Sequence, residues 1–110
     1  GWVKEAVDAL SLKGCKIKVV EGIVKDDSGE LFGSCDYTTD QTEAIITFNG
    51  RTHGSEMEIK DTAYHEVVHI LFAKMDGLLV SRLSGKRFDE YMNLREDIVR
   101  RMTRAMTRGK

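Results

Sequence analysis

Residues 63–72 read Ala-Tyr-His-Glu-Val-Val-His-Ile-Leu-Phe, and this stretch decides how the rest of the chain is arranged. The segment predicts a helix with apolar side chains on nearly every side, and such a helix belongs in the interior of a protein. The same helix carries three ionisable groups, His65, Glu66 and His69. Burying them together is costly unless each has a partner, so the segment calls for a polar site inside the fold.

The spacing of these three residues indicates which partner they need. His65 and His69 are four residues apart, so both imidazoles project from one face of an α-helix, close enough to bind one tetrahedral zinc ion. Glu66 lies about 100° away around the axis, where it can hydrogen-bond a zinc-bound water without ligating the metal. The alternative is two core histidines and a chance glutamate satisfied by backbone groups. The pattern favours Zn2+ on His65 and His69, with Glu66 as general base.

A zinc site with an open coordination position needs a third protein ligand. Only one histidine lies outside the motif, His53, and it lies upstream. The remaining candidates are carboxylates of the last predicted helix, which are Glu90, Glu96 and Asp97. That helix has an apolar stripe at helical spacing, formed by Tyr91, Leu94, Ile98, Met102 and Ala105 and widened by Met92 and Val99. Glu96 borders this stripe, so we favour Glu96, with Glu90 and Asp97 left open.

The flanking sequence predicts the other elements of the domain. Apolar spacing, β-branched runs and turn residues define them. We expect a helix over 2–12, strands over 16–24, 31–37 and 42–48, a turn at 26–29, a loop over 51–60, the main helix capped by Asp61 or Thr62 and ending at 76–77, and a last helix over 89–107. This order predicts a single α+β domain spanning 1–110, in which three helices pack on a small sheet of about three strands.

Composition limits the classes of protein to be considered. With 41% hydrophobic and 32% charged residues, the chain has the composition of an ordinary globular protein. No apolar run is long enough to cross a membrane, and residues 1–5 lack the features of a secretory signal, so we expect a cytoplasmic protein. Cys15 and Cys35 are too few for a disulfide framework, and we expect two reduced thiols.

Charge is distributed unevenly along the chain. Residues 81–110 contain nine Lys/Arg and four Asp/Glu, a balance of +5, whereas the net charge of the whole chain is −1. A basic C-terminal helix can contact nucleic acid or an acidic partner. Because no aromatic residues are interleaved with these basic ones, we do not expect nucleic acid to be the partner.

The sequence HEVVHILF, followed by LREDIVRRM, resembles the gluzincin branch of the zincin-like metallopeptidases. More narrowly, it is similar to short HExxH proteins encoded by phages and prokaryotes. The resemblance implies a minimal zincin-like fold, in which His65, His69 and Glu96 bind zinc and Glu66 is the base. It also implies that the strand at 42–48 is the sheet edge on which an extended peptide adds main-chain hydrogen bonds.

These observations predict a monomeric zinc peptidase acting on a peptide or protein substrate. A stand-alone toxin or regulatory protease with one cellular target fits the same residues. The alternative from another class is a zincin-shaped binding module that contacts a partner or nucleic acid through its basic helix.

A peptidase also needs a group that stabilises the oxyanion, and the sequence leaves four candidates open. Of these, Tyr64 is favoured as a core residue and His53 as a solvated loop residue. These candidates are Tyr37, Tyr64, Tyr91 and His53.

Overall fold

The computed structural model describes residues 1–38, 40–50 and 55–108 of the 110-residue chain. These residues form a mixed α+β structure, as predicted. Its helices are α1 (Trp2–Ala9), α2 (Glu56–Ile70), α3 (Ala73–Leu79), a 3-10 turn (Val80–Arg82) and α4 (Gly85–Arg108). Its strands are β1 (Lys16–Glu21), β2 (Lys25–Asp26), β3 (Gly29–Glu30), β4 (Gly33–Tyr37) and β5 (Glu43–Phe48).

The main sheet has three strands in the order β1-β5-β4. Strand β1 runs parallel to β5, and β4 runs antiparallel to it. The prediction that residues 42–48 form a sheet edge is therefore wrong, because β5 is the central strand. Its residues Ala44 and Ile46, which are 4% and 0% exposed, lie on the face of the sheet that packs against the helices.

A small antiparallel hairpin of β2 and β3 precedes β4. Its turn falls within the predicted 26–29 segment, where Asp26 accepts hydrogen bonds from the backbone N–H and the hydroxyl of Ser28. The predicted strand over 16–24 ends at Glu21, before this hairpin. The hairpin is separate from the main sheet and lies at one end of β4.

Gly33 opens β4 at a point where α2 lies close to the sheet. A Cβ atom at this position would lie 2.7 Å from the Thr47 carbonyl oxygen and 2.9 Å from Thr62 Cγ2. Both separations are well inside van der Waals contact, so no side chain fits. Glycine in this strand is a requirement of close packing between β4, β5 and α2.

Helix α2 begins earlier than predicted. Ser55, not Asp61 or Thr62, is its N-cap, and the Ser55 hydroxyl accepts a hydrogen bond from the Glu58 backbone while the Glu58 carboxylate accepts one from the Ser55 backbone. This capping box is a Ser-x-x-Glu pattern, which is visible in the sequence. Residues 56–60 of the predicted loop are therefore helical.

The C-terminal end of α2 also differs from the prediction. The helix ends at Ile70, and α3 runs through Asp76 and Gly77, which do not end a helix. The side-chain amide of Gln41 donates to the carbonyl oxygens of Ile70 and Leu71, at 3.0 and 3.3 Å. A side chain distant in sequence thus satisfies carbonyl groups that a helix end leaves unpaired.

Helix α2 occupies the interior, as its sequence predicts. It packs against β4 and β5 on one side and carries α1 and α4 on others. Seven of its residues are buried, namely Thr62, Ala63, Tyr64, Glu66, Val67, Val68 and Ile70. The core is formed by α2, α1 and the inward side of the sheet. The helix that carries the HExxH motif is therefore the centre of the packing.

Helix α4 extends over Gly85–Arg108, beginning before the predicted residue 89. Its buried residues are Val99, Thr103 and Thr107, which lie on one face at helical spacing. Leu94, which the sequence places in the apolar stripe, is 59% exposed, so the buried face is rotated toward Val99. Cys15 and Cys35 are free thiols, as predicted. Among the described helices, none has the length and apolar character needed to cross a membrane.

The close approach at Gly33 leads to a stability prediction. Gly33→Ala should lower the free energy of unfolding by about 1–3 kcal/mol, because the added methyl group overlaps backbone and side-chain atoms. The matched control is Gly14→Ala, since a Cβ at Gly14 meets nothing within 4 Å. Urea unfolding of both variants measures the difference, and equal stabilities would contradict the close packing of α2 on β4.

Candidate metal centre

The two motif histidines lie on the face of α2 that meets α4. Their Nε2 atoms are 3.2 Å apart, with the rings in an edge-to-face arrangement. The His65 side chain is 26% exposed and that of His69 is 13% exposed, so both are reached from a cleft. The four-residue spacing brings the two imidazoles together, as predicted.

Glu96 completes this cluster from α4. Its two carboxylate oxygens lie 3.1 Å from His65 Nε2 and 3.3 Å from His69 Nε2. One ligand atom from each residue falls within 4.8 Å of the others, and in the described part of the chain this is the one group of His, Cys, Asp and Glu that meets this condition. The three predicted ligands are therefore brought to one point.

The spacing of these atoms fits a tetrahedral metal ion. Zinc bonds to imidazole nitrogen and carboxylate oxygen are about 2.0–2.1 Å long, so ligand atoms at tetrahedral angles lie about 3.3–3.4 Å apart. The observed separations of 3.1, 3.2 and 3.3 Å are close to this value. Two nitrogens and one oxygen is also a donor set that zinc accepts, with room for a fourth ligand.

The charges of the cluster depend on each other. Hydrogen bonds from His65 and His69 hold the pKa of the Glu96 carboxyl well below its usual range. Burial lowers the pKa of His65, but its hydrogen bond to Glu96 and the charges of Glu66 and Glu96 outweigh burial and leave that pKa raised. A metal ion must displace the proton that this raised pKa favours, so metal binding should weaken as the pH falls.

Glu66 lies beside the cluster and is not one of its three members. It is 7% exposed and lines the same cleft as the two histidines. Burial raises the pKa of its carboxyl, and this effect exceeds the lowering by His65 and His69. A carboxylate with a raised pKa is a better proton acceptor near neutral pH than an ordinary glutamate.

The other two carboxylates considered for the third ligand lie away from the cluster. Asp97 is 53% exposed in its side chain and pairs with Arg101 at 3.0 Å. Glu90 is exposed near the start of α4. Of the three candidates, Glu96 is therefore the one that the fold places opposite His65 and His69.

The tyrosines considered as oxyanion stabilisers occupy different surroundings. Tyr64 is buried and donates to Glu5 on α1 at 2.5 Å, on the side of the core. Tyr91 donates to Asp76 at 2.5 Å and does not line the cleft. Tyr37 lines the cleft, and its hydroxyl also donates to Asp76. His53, the fourth candidate, lies outside the described residues.

Asp76 is the centre of a buried network that the sequence does not indicate. It is 8% exposed and accepts hydrogen bonds from Tyr37, from Tyr91 and, at 2.7 Å, from Arg95. Its local sequence, Asp-Gly, suggests a helix end instead. The network joins β4, α3 and α4, and it fixes the residue that precedes Glu96.

The cleft lies between β4 and α4, with α2 as its floor, and has a volume of about 730 Å³. Contacts show in which direction the chain runs in the two walls of the cleft, β4 and α4, relative to α2. Gly33 lies beside Thr62, and Tyr37 contacts Asp76, so β4 runs in the same sense as α2. Arg108 pairs with Asp61 near the start of α2, so α4 runs in the opposite sense.

We compared the chain with protein-family models, with curated proteins and with solved structures, and none of them matched.

The ligand set leads to a prediction about zinc affinity. Glu96→Gln should weaken zinc binding by more than the roughly 10–100-fold that is typical of losing a hydrogen-bond partner of a ligand. Asp97→Asn and Glu90→Gln are matched controls on the same helix and should bind zinc as the wild type does. Competition with a chromophoric chelator measures the affinities. Normal affinity in Glu96→Gln would remove this residue from the ligand set.

The Asp76 network leads to a prediction about stability. Asp76→Ala should destabilise the fold by about 3–5 kcal/mol, because it leaves the Arg95 charge buried without its partner. The control is Asp97→Ala, which removes an exposed ion pair with Arg101 and should cost less than about 1 kcal/mol. Chemical unfolding distinguishes these outcomes, and a small loss in Asp76→Ala would show that the network is not structural.

Proposed function

We propose that this protein is a zinc-dependent peptidase with a minimal zincin-like arrangement. One observation carries the proposal: a buried glutamate lies next to three ligand atoms whose spacing suits tetrahedral zinc. A metal that only stabilises the fold has no need of a buried carboxylate beside it, and burying one is costly. Glu66 therefore supports a catalytic role.

In peptide hydrolysis, three of these residues would bind the metal and the fourth, Glu66, would transfer the proton. A zinc ion held by His65, His69 and Glu96 would polarise the scissile carbonyl and lower the pKa of an adjacent water. Glu66 would take the proton of that water as it attacks the carbonyl carbon. Glu66 would then deliver the proton to the departing amine nitrogen as the C–N bond breaks. The raised pKa of Glu66 suits both halves of this transfer.

The substrate would lie along β4, which replaces the predicted strand 42–48 as the peptide-binding edge. Within the described chain, β4 is paired on one side, with β5, and its residues line the cleft. A peptide added to this edge would gain main-chain hydrogen bonds with little dependence on its sequence. It would also pass between β4 and α4, in front of the ligand cluster.

Of the candidate oxyanion stabilisers that the structure describes, Tyr37 is the one that lines the cleft. Burial and its hydrogen bond to Asp76 raise the pKa of this tyrosine, so the hydroxyl keeps its proton. Arg95, which donates to both Tyr37 and Asp76, lines the cleft at the same end. We assign oxyanion stabilisation to this end of the cleft, with Tyr37 as the donor when its bond to Asp76 exchanges.

The second candidate function is a metal-stabilised binding module that uses the basic face of α4. Exposed arginines on that helix favour it, since Arg101 is 76% and Arg100 is 66% exposed in the side chain. This function does not account for the buried Glu66. A nucleic-acid complex that weakens with salt, formed by a protein with no peptidase activity, would support the module instead.

The proposed base is tested by Glu66→Gln, which keeps the size of the side chain and removes its basicity. This variant should bind zinc as the wild type does and cleave peptides about a hundred- to ten-thousandfold more slowly. A mixed peptide library with new termini read by mass spectrometry gives the rate, and elemental analysis gives the zinc content.

The control for this experiment is Glu90→Gln, an exposed position away from the cleft, which should retain full activity. Undiminished cleavage by zinc-loaded Glu66→Gln would refute the assignment of the base. Absence of zinc from wild-type protein supplied with the metal would refute the metal centre itself.

A further inference from the structure

Helix α4 presents four arginines to the cleft, Arg95, Arg100, Arg104 and Arg108. Two of them form close ion pairs with aspartates, and Arg100 lies within the longer ion-pair range of Glu96. Arg95 pairs with Asp76 at 2.7 Å, and Arg108 pairs with Asp61 at 2.5 Å. These two pairs lie toward the two ends of the cleft and leave the middle of the α4 wall to the other two arginines.

Arg100 and Arg104 donate no hydrogen bond to any side chain or backbone group in the part of the chain that the structure describes. Arg100 Nε is 3.6 Å from Glu96, too far for a hydrogen bond, and Glu96 is already engaged by both histidines. Arg104 is exposed and forms no ion pair with any residue that the structure describes. Each guanidinium carries five N–H donors in a planar fork that matches a carboxylate.

The spacing of residues along α4 gives the distance from the ligand cluster to each of these two arginines. Along a helix that rises about 1.5 Å per residue, Arg100 and Arg104 lie about 6 and 12 Å beyond Glu96. An extended peptide advances about 3.3 Å per residue. A peptide bound on β4 would therefore bring side chains about two to four residues from its scissile bond against these two arginines.

We propose that Arg100 and Arg104 select substrates that carry a carboxylate about two to four residues from the scissile bond. This inference rests on the proposed peptidase function and names the substrate class for the same cleft. A peptide antiparallel to β4 runs from the Tyr37 end of the cleft toward Gly33. The two arginines then meet the part of the substrate that follows the scissile bond. The carboxylate can come from an Asp or Glu side chain or from the C terminus of the substrate.

The charges of the cleft favour an acidic peptide over a nucleic acid. Asp26 and Glu66, which have no arginine partner among the described residues, line the same cleft as the two arginines, and the whole chain carries a net charge of −1. Carboxylates beside a phosphate backbone repel it, whereas a peptide with a few acidic residues can avoid them. The arginines also lie in a cleft about 730 Å³ in volume, which suits an extended peptide segment.

A binding experiment tests the inference without requiring cleavage. Zinc-loaded Glu66→Gln is titrated into a fluorescein-labelled, C-terminally amidated peptide rich in Asp, and into a matched peptide with Asn in place of each Asp. Fluorescence anisotropy should show about tenfold tighter binding of the acidic peptide, with a preference that shrinks as salt is added. Repeating the titration with the Asn peptide carrying a free C terminus distinguishes the terminal carboxylate from acidic side chains as the source.

Variants of Arg104 test whether this residue causes the preference for the acidic peptide. On the Glu66→Gln background, Arg104→Gln should lower the affinity for the acidic peptide about two- to fivefold, and Arg104→Glu about tenfold. Arg104→Glu should in turn prefer a peptide with Lys in place of Asp. The control is Arg101→Gln, because Arg101 lies on the same helix, is paired with Asp97 and does not line the cleft. Zinc content is measured in every variant, so that loss of the metal is not mistaken for loss of selectivity.

The possible results test the selectivity for carboxylates and the proposed peptidase function separately. Equal binding of the Asp and Asn peptides, in both amidated and free forms, overturns the inference even if the wild type cleaves both. Equal effects of Arg104→Gln and Arg101→Gln also overturn it, as does tighter binding of a single-stranded RNA than of any peptide. An Arg104-dependent preference for the acidic peptide, together with no cleavage of that peptide by the zinc-loaded wild type, supports the selectivity and refutes the peptidase.

Discussion

The burial of α2 between the sheet and α4 limits where the polar groups of this protein can lie. A helix in this position has an apolar contact on almost every side, so any polar group on it must find its partner across a helix interface. His65 and His69 face α4, and Glu96 is the residue of α4 that meets them. Glu66 lies one position round the helix, beside the same opening. The candidate centre thus follows from where α2 lies.

The same constraint couples the ligand cluster to the stability of the fold. The ligand atoms belong to two helices, so an ion bound by all three joins α2 to α4 and would favour the folded state over the unfolded one. The Glu96 carboxylate already contacts both imidazoles, at 3.1 and 3.3 Å, and these contacts lower its pKa. A metal ion would replace that interaction, so its net contribution is smaller than its ligand bonds alone suggest.

The features of the candidate site that the sequence predicts depend on the periodicity of single helices. The four-residue spacing of His65 and His69 fixes their common face, and the apolar stripe of α4 indicates the side on which Glu96 lies. What the sequence could not predict depends on distant contacts. Gln41 ends α2 through hydrogen bonds to residues some 30 positions away, and Asp76 gathers side chains from two other elements, β4 and α4. The order of strands within the sheet is likewise invisible to alternation along a single strand. The Ser55 capping box, in contrast, is a local Ser-x-x-Glu pattern that marks the start of α2.

Two arginine–aspartate pairs that join α4 to other helices help a cluster built across two helices to hold its geometry. Arg95 is fixed to Asp76 on one side of Glu96, and Arg108 is fixed to Asp61 three helical turns beyond it. These two pairs and the buried Val99 between them limit the rotation and sliding of α4, so Glu96 is held opposite the histidines. Such preorganisation lowers the ordering cost of binding an ion. Arg100 and Arg104 lie between these two ion pairs, so their backbone is held in place while their side chains can contact a ligand in the cleft.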